Sequence, residues 1–355
     1  MKPDPRDNFR RQAEWCEGLG SPFTAMVCRT LRERLTEKTS FGARLLNWTG
    51  PVEADAIALR ACGALNHLAR EGCAALAPLY PPNPTPSPDA FWRGAQSAIA
   101  DHDARLTRFL DSAPQTNEVS RSAILLPGYL EIARRAGLPL AIREIGASAG
   151  LNLTFDRYRH VYGAAQWGAA DSKVTIPCEW RSEAAPPAGA LQVVDRLGCD
   201  LRPVDARDPD ARARMLAYIW PDQSARLARA EAALDLAAAE GVRVEAIDAA
   251  AFVARETQTL VPGRTLVLAH TIVWQYLPQP TKVAIREAMV EAAGRATRAS
   301  PFAWLRLEAE AEEPRGGVLR LSLWPDGPVD EALAVASFHG QWIEWRGVGG
   351  KAASP

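Results

Sequence analysis

The sequence predicts an α/β protein in which an all-helical unit, about residues 1–120, precedes a mostly parallel sheet with an antiparallel edge in residues 121–355. Apolar residues recur at helical spacing in the first unit, whereas from Leu140 onward short apolar runs alternate with long helical patterns. Strands that alternate with helices typically form parallel sheets covered on both faces. Close-spaced strands after Glu308 predict the antiparallel edge.

The composition excludes several functional classes. Of 355 residues, 47% are hydrophobic and 23% are charged, as in ordinary folded domains. The 41 basic and 42 acidic residues leave a net charge of −1, so no overall positive field would attract nucleic acid or an anionic membrane. The 6 cysteines include no Cys-x-x-Cys pair, so we expect reduced thiols and no metal site. Without a signal-peptide pattern or a long apolar run, the chain is expected to be cytoplasmic and to act on a small molecule. The sequence leaves its oligomeric state open.

The helical unit carries recognisable boundary signals. Ser21 and Pro22 supply an N-cap and a first-turn proline for one helix, and Gly72 is placed to end another. The prolines between residues 78 and 88 predict a stiff, extended connector between helices.

The second part of the chain begins with the strand Leu140–Ile145, followed by a turn of small residues and a helical pattern through Leu151, Phe155, Tyr158 and Tyr162. Four similar apolar runs follow, which predict further strands, with helical stretches between most of them. The predicted strands are 192–194, 242–247, 266–269 and 302–307; the helices are 208–219, 222–240 and 281–299; the close-spaced strands are 318–324, 332–338 and 342–345.

The most informative stretch is the turn after the first strand, residues 146–150, which we call the glycine turn. Small residues between a strand and a helix let a ligand approach the backbone, and a helix N-terminus offers unpaired N–H groups. Alternatively, Gly146 and Gly150 only permit a tight turn and close helix packing. The turn alone does not decide between these interpretations.

The same stretch resembles the first motif of class I S-adenosylmethionine-dependent methyltransferases, an acidic residue at a strand end followed by glycines at alternate positions. Glu144, Gly146 and Gly150 match that motif, and Ser148 replaces its middle glycine. The resemblance implies a Rossmann-like methyltransferase-type fold and S-adenosylmethionine as the cofactor.

By the same resemblance, later strand ends supply further cofactor contacts. An acidic residue after the second strand would bind the ribose; Asp200 is the first choice, with Asp195 and Asp205 as alternatives. Asp248 after the third strand would meet the adenine. The implied cofactor-binding residues are Glu144, Gly146, Ala147, Ser148, Gly150, Asn152, Asp200, Asp248 and Ala249.

The end of the fourth strand is expected to face the methyl acceptor. His270 is the best-placed general base there, and Trp274 and Tyr276 could wall the acceptor pocket. A histidine at a strand end is as well explained by a structural hydrogen bond, and aromatic residues at a sheet edge by packing.

Longer motifs identify a narrower family. The segments 144–158 (EIGASAGLNLTFDRY), 218–223 (YIWPDQ), 270–277 (HTIVWQYL), 301–307 (PFAWLRL) and 321–325 (LSLWP) resemble an uncharacterised bacterial family, domain of unknown function family 2332. The resemblance covers nearly the whole chain. It implies a methyltransferase-like Rossmann fold but no known substrate. It also places Asn117, Glu118 and Arg121 at the junction of the two units, where they would line the pocket or make fold-stabilising contacts.

A rival interpretation uses the same turn. Residues 146–150 satisfy Gly-x-Ser-x-Gly, the nucleophile elbow of α/β-hydrolases, and Ser148, Asp326 and His339 follow the chain order of that triad. However, a hydrolase elbow follows several strands, and nothing before Leu140 is predicted to be a strand. A methyltransferase-like protein that binds a ligand without catalysis is a third possibility, because Ser148 occupies a usual glycine position.

The leading hypothesis is an S-adenosylmethionine-dependent methyltransferase of an unidentified small molecule, with the helical unit packed over the carboxyl ends of the strands. Two departures from the superfamily are expected to alter the sheet: about thirty inserted residues between 160 and 191, and a connection from Glu308 to Val318 too short for a helix.

Overall fold

The computed structural model describes residues 4–347. They form two compact units, one comprising the residues up to Thr116 with Asp208–Glu231, the other Asn117–Arg207 with the residues after Glu231. The first unit thus includes 208–231, which the sequence analysis had assigned to the sheet. No helix within residues 4–347 is both long enough and apolar enough to cross a bilayer.

Helices and strands alternate along most of the second half of the chain. The helices are α1 (Pro5–Gly18), α2 (Pro22–Arg34), α3 (Ser40–Leu46), α4 (Ile57–Arg70), α5 (Pro88–Phe109), α6 (Ser122–Ala136), α7 (Pro209–Leu216), α8 (Ser224–Glu240), α9 (Ala249–Thr257) and α10 (Gln279–Arg295). The strands are β1 (Leu140–Ile145), β2 (Arg159–Tyr162), β3 (Ala165–Trp167), β4 (Thr175–Pro177), β5 (Glu179–Trp180), β6 (Val193–Asp200), β7 (Val244–Ala246), β8 (Thr265–Thr271), β9 (Phe302–Ala309), β10 (Gly317–Trp324), β11 (Glu331–Ala336) and β12 (Trp342–Trp345). Short 3-10 helices occupy Ala77–Leu79, Val119–Arg121, Leu151–Arg157 and Trp274–Tyr276.

In the first unit, a distant segment completes the start of α2. The Ser21 hydroxyl does not cap the helix as the sequence suggested; it donates to the Asp222 carboxylate instead. Asp222 also accepts a hydrogen bond from the Phe23 N–H, at 2.9 Å, so this carboxylate fills the capping role. Residues 208–231 therefore belong with these helices because they supply groups that the helices lack.

The larger sheet of the second unit is mixed, with a parallel half and an antiparallel half. Its order is β5-β12-β11-β10-β9-β8-β1-β6-β7. The strands β7, β6, β1, β8 and β9 run parallel to one another, whereas β10 and β11 are antiparallel to both their neighbours. The predicted antiparallel strands are present, but they do not form the outer edge. The inserted stretch contributes β5, which pairs parallel to β12 beyond them.

Helices cover both faces of this sheet, as the strand–helix alternation predicted. Phe252 of α9 and Ile285 of α10 are buried in one cluster with Ile145 and Phe302. On the other face α6 packs closely enough that a Cβ at Gly128 would lie 2.6 Å from a Leu305 methyl carbon. All residues of β1 are buried, as expected for a central strand covered on both faces.

The predicted helix after β1 is wrong beyond its first turns. Leu151–Arg157 is a 3-10 helix, and the chain then enters a small three-stranded sheet of order β3-β2-β4. The Tyr158 hydroxyl donates to the Leu151 carbonyl at 2.6 Å, and Tyr158 itself is extended (φ −92°, ψ 154°). A side chain thus satisfies a carbonyl that a longer α-helix would have used, and the helical spacing of the apolar residues does not reveal this.

Chain order makes the carboxyl end of β1 a special position. From β1 the chain passes to β6 and β7 on one side, and then to β8 and β9 on the other. Ile145, the last residue of β1, lies opposite Cys199 of β6 and His270 of β8. Open α/β sheets bind ligands where the direction of winding reverses in this way. The glycine turn lies at this point.

Candidate functional site

The glycine turn adopts an unusual backbone. Gly146, Ser148 and Gly150 all have positive φ, at 66°, 53° and 72°. Glycine tolerates this region readily, but a serine there stores strain, which often accompanies a functional site. The alternate glycines of the sequence motif are therefore explained first by conformation.

Protein acceptors use several N–H groups of the turn. The Ala147 N–H donates to the Cys199 carbonyl at 3.0 Å, and the Ser148 N–H to the Asp200 carboxylate at 3.1 Å. The Leu151 N–H donates to the Asn117 side-chain oxygen at 2.9 Å. A ligand-binding turn would leave these donors free for the ligand, whereas here they fix the shape of the turn and of the residue that follows it.

Valine side chains cover both glycines. A Cβ at Gly146 would lie 2.6 Å from a Val273 methyl carbon, and one at Gly150 would lie 2.5 Å from a Val242 methyl carbon. Of the two interpretations left open by the sequence, close packing accounts for these two positions. Any ligand contact in this region must come mainly from side chains.

Three buried side chains around the turn carry polar atoms without a well-formed hydrogen bond; we call Glu144, Ser148 and Asn152 the polar cluster. Their exposed fractions are 3%, 6% and 2%. Glu144 Oε2, Ser148 Oγ and both polar atoms of the Asn152 amide make no well-formed hydrogen bond to a protein group, although the Asn152 amide lies close enough to Glu144 to favour its charged form. Leaving a buried polar group unpaired costs about 1–3 kcal/mol, so a concentration of such groups indicates a place for a polar ligand or water.

The electrostatics of the polar cluster centre on Glu144. Burial raises the pKa of this carboxyl to about 8, and nearby Asp200 adds to the effect. The positive charge of Arg121 and the polar Asn152 amide oppose it only in part. Burial thus favours the protonated, neutral form of Glu144 at neutral pH.

The sequence offered three candidates for the ribose contact. Among their described hydrogen bonds, that of Asp200 is the one that reaches the glycine turn. Its carboxylate accepts from the Ser148 N–H and, at 2.8 Å, from the Arg202 N–H. Asp195 lies five positions earlier on β6 and pairs with Arg143 at 2.6 Å. Asp205 accepts from the Arg207 N–H at 2.8 Å.

Asp248 and Ala249 lie after β7, two strands away from β1. Asp248 is exposed and caps α9, accepting from the N–H groups of Ala250 and Ala251 at 2.8 and 3.3 Å. Ala249 is buried against the sheet. The capping role accounts for Asp248, and its predicted contact with adenine stays a prediction.

His270 lies at the carboxyl end of β8, but it is fully buried with both ring nitrogens engaged. The Trp304 indole N–H donates to Nε2 at 3.0 Å. Because an indole nitrogen can only donate, the ring proton is on Nδ1, which donates to Glu308 at 2.6 Å. We call His270, Trp304 and Glu308 the histidine cluster. The predicted base therefore has no nitrogen left for a substrate in this arrangement.

The two aromatic candidates separate. Trp274 stacks on His270, with ring centroids 5.3 Å apart, and so belongs beside the histidine cluster. Tyr276 is 68% exposed. Packing explains Trp274, whereas nothing in these contacts assigns a role to Tyr276.

The three polar residues before α6 make contacts that hold the site together. Asn117 accepts from the Leu151 N–H just after the glycine turn, and Glu118 caps the 3-10 helix Val119–Arg121 through the Ser120 N–H. The Arg121 side chain donates to the Phe338 carbonyl at 2.8 Å. Both roles that the sequence offered, pocket lining and stabilisation, remain compatible with these positions.

The hydrolase triad is not assembled. Asp326 follows β10, whose last residue Trp324 pairs with Phe302 at the amino end of β9, and it binds Arg298 at 2.9 Å. Ser148 follows the carboxyl end of β1, which is level with Arg306. Along β9, Phe302 and Arg306 are four residues apart, so the positions of Asp326 and Ser148 differ by about 13 Å along the strand direction, at about 3.3 Å per residue.

Sequence reasoning missed two residues beside this site. Glu308 accepts from His270 and also from the Val273 N–H at 3.1 Å, and Val273 covers Gly146. An acidic residue near the end of the apolar strand β9 was a usable signal for Glu308. No sequence signal pointed to Val273, because it is one of several apolar residues in the segment 270–277.

Fold and site together define a mixed α/β protein with an unsatisfied polar cluster at the carboxyl end of its central strand. The family model described as "Uncharacterized protein conserved in bacteria (DUF2332)" matches residues 6–345. The chain therefore belongs to this family, as the sequence motifs had suggested. Searches among curated proteins and among solved structures found no match.

Proposed function

We propose that the second unit binds S-adenosylmethionine beside the polar cluster and transfers its methyl group to a small molecule. The observation that carries this proposal is the polar cluster itself, because its buried atoms lack partners at the position where open α/β sheets bind ligands.

The strand order supports a nucleotide-type ligand. Counted along the chain, the parallel strands lie in the order third, second, first, fourth, fifth, which is that of doubly wound nucleotide-binding sheets. Such sheets host many activities, so this argument supports the site more than the reaction.

The side chains present fit the proposed ligand. Glu144, Ser148 and Asn152 offer a carboxyl, a hydroxyl and an amide, which together can accept and donate hydrogen bonds to a charged amino-acid moiety. Asp200, whose carboxylate lies against the glycine turn, is proposed to accept hydrogen bonds from ribose hydroxyls. Asp248 is retained as the proposed contact for the adenine.

S-adenosylmethionine supplies an electrophilic methyl group on a sulfonium. The protein's own contribution would be positioning, which can supply on the order of 7–11 kcal/mol, so a strong general base is optional. This suits a site whose nearest histidine is engaged. Val273 and the buried wall of β1 would exclude water from the neighbourhood of Glu144.

Isothermal titration of the full chain with S-adenosylmethionine and S-adenosylhomocysteine tests the proposal. We expect saturable binding of both compounds, weakened in a Ser148→Ala, Asn152→Ala double variant. Glu310→Gln, whose carboxylate pairs with Arg320, is the control and should bind as the wild type does. No binding of either compound at millimolar concentration would refute the proposal.

A methyltransferase-like protein that binds without catalysis is a second candidate. It is favoured by the engaged His270 and by the valine cover over Gly146. Mass spectrometry of bacterial metabolite extract, incubated with the protein and methyl-labelled S-adenosylmethionine, separates the two candidates. A labelled product that depends on Asn152 would eliminate the second; binding without any labelled product would favour it.

A further inference from the structure

Glu144 is the one member of the polar cluster that can change its charge. Its side chain lies at the end of the buried strand β1, 3% exposed, and its Oε2 atom has no hydrogen-bond partner. No basic side chain forms an ion pair with it within the described residues. A buried carboxyl in such surroundings holds its proton unless a positive charge arrives.

We infer that a positively charged group of the ligand binds beside Glu144 and that its binding releases the Glu144 proton to solvent. The inference rests on the proposed function for the identity of the ligand. It goes beyond that function by stating that the ligand group bound beside Glu144 is positively charged. An ammonium or a sulfonium would satisfy it, since both are cations that stabilise a carboxylate at short range.

The surroundings of Glu144 favour this coupling. The charged and titratable groups that act on Glu144, or that its charge affects, are Arg121, Asp200, Tyr129, Tyr158 and Cys199. Burial raises the pKa values of the two tyrosines and of the Cys199 thiol, so these three stay neutral near pH 7. The positive charge of Arg121 only partly offsets the effect of burial on the Glu144 pKa.

A ligand cation would therefore bind beside a neutral carboxyl and cause it to lose its proton, and the resulting carboxylate would be the counter-ion of the ligand. With a pKa of about 8, Glu144 is protonated in about nine of ten molecules at pH 7. A neutral ligand of the same shape would leave that proton in place. The site thus distinguishes cations from neutral isosteres through the cost of a buried negative charge.

Titration calorimetry in phosphate and in Tris, whose ionisation enthalpies differ, counts the protons released. The ligands are S-adenosylmethionine, S-adenosylhomocysteine, which lacks the sulfonium, and 5′-methylthioadenosine, which lacks both cations. At pH 7 we expect about 0.9 proton released with S-adenosylmethionine and none with 5′-methylthioadenosine. Release with S-adenosylhomocysteine would assign the cation to the ammonium, and its absence to the sulfonium.

Glu144→Gln imitates the protonated carboxyl and cannot release its proton. In this variant we expect no proton release, at least a tenfold loss of S-adenosylmethionine affinity, and less than a twofold change for 5′-methylthioadenosine. Glu131→Gln, a buried glutamate already paired with Arg134 and Arg135, is the control and should keep the wild-type proton release.

The outcomes separate the inference from the proposed function. Tight binding of S-adenosylmethionine without proton release, or with equal release in Glu144→Gln, overturns the inference and leaves the function intact. If none of the three compounds binds, the proposed function fails and the inference fails with it.

Discussion

The carboxyl ends of β1 and β8 lie side by side, but the buried polar side chains at the two ends differ in how completely they are hydrogen-bonded. At β8 the histidine cluster is closed, because each polar atom of His270 has a partner on β9. At β1 the polar cluster is open, with four buried atoms unpaired. The comparison teaches that a strongly buried polar residue is a ligand candidate only when its hydrogen bonds are incomplete. By that criterion the more conspicuous residue, the histidine, is structural.

The largest expected effect is a loss of folding stability when the histidine cluster at the carboxyl end of β8 is disrupted. His270→Ala removes a fully buried ring, takes the histidine partner from buried Glu308 and leaves the Trp304 N–H without its acceptor, so we expect a loss of about 3–5 kcal/mol in the free energy of unfolding. Glu144→Gln at the carboxyl end of β1 should change it by less than about 1 kcal/mol at pH 5, where the wild-type carboxyl is also protonated in the folded protein. Urea unfolding of both variants measures the contrast. A loss of under 1 kcal/mol in His270→Ala would mean that its cluster does not hold the fold.

The next effect is a pH dependence specific to the open end. The pKa of Glu144 is about 8 in the folded protein and near 4.5 in the unfolded chain, so between these values the folded state binds more protons. The free energy of unfolding should therefore fall as pH rises through this window, by up to about 1.4 kcal/mol per pH unit, and level off above pH 8.

Glu144→Gln lacks this contribution, so the difference in unfolding free energy between wild type and variant isolates it. Urea unfolding at pH 5, 6 and 7 gives that difference directly. If the difference stays constant over this range, Glu144 titrates normally in the folded protein.

A smaller effect is expected at Asp200. If it binds ribose hydroxyls, Asp200→Asn should weaken binding of S-adenosylmethionine by roughly tenfold, about 1.4 kcal/mol, by removing the charge from these hydrogen bonds. Asp248→Asn preserves a good helix cap and tests the adenine contact in the same titration. Equal affinities for wild type and both variants would remove these two residues from the site.

The smallest effect concerns the strained serine. Ser148→Gly relieves a positive φ and removes an unpaired buried hydroxyl, but it increases the freedom of the unfolded chain. We expect a net gain of up to about 1 kcal/mol in stability, measured by thermal unfolding without ligand. A clear loss of stability would show that the hydroxyl has a partner, such as a bound water, in the folded protein.

Local pattern predicted the elements whose signals are local. The strand β1, the glycine turn and the acidic residues at strand ends follow from apolar periodicity and small residues, and all are present. The partners of His270 were out of reach, because Trp304 and Glu308 lie 34 and 38 positions along the chain. The prediction of a longer helix after β1 was wrong for a similar reason, since the Tyr158 hydroxyl donates to the Leu151 carbonyl where the chain leaves the 3-10 helix. Side-chain hydrogen bonding, which decides the function of each polar residue, leaves little trace in periodicity.

The capping of α2 by Asp222 has a consequence for synthesis of the chain. The unit that begins at the N-terminus stays incomplete until residue 231 has been made, 115 positions after Thr116. At about 5–20 residues per second, the ribosome needs roughly 6–23 s for that interval. During it, the apolar cluster of the first helices lacks the cover that Ala217, Tyr218 and Trp220 provide, and β1 and β6 are translated before the first unit can close.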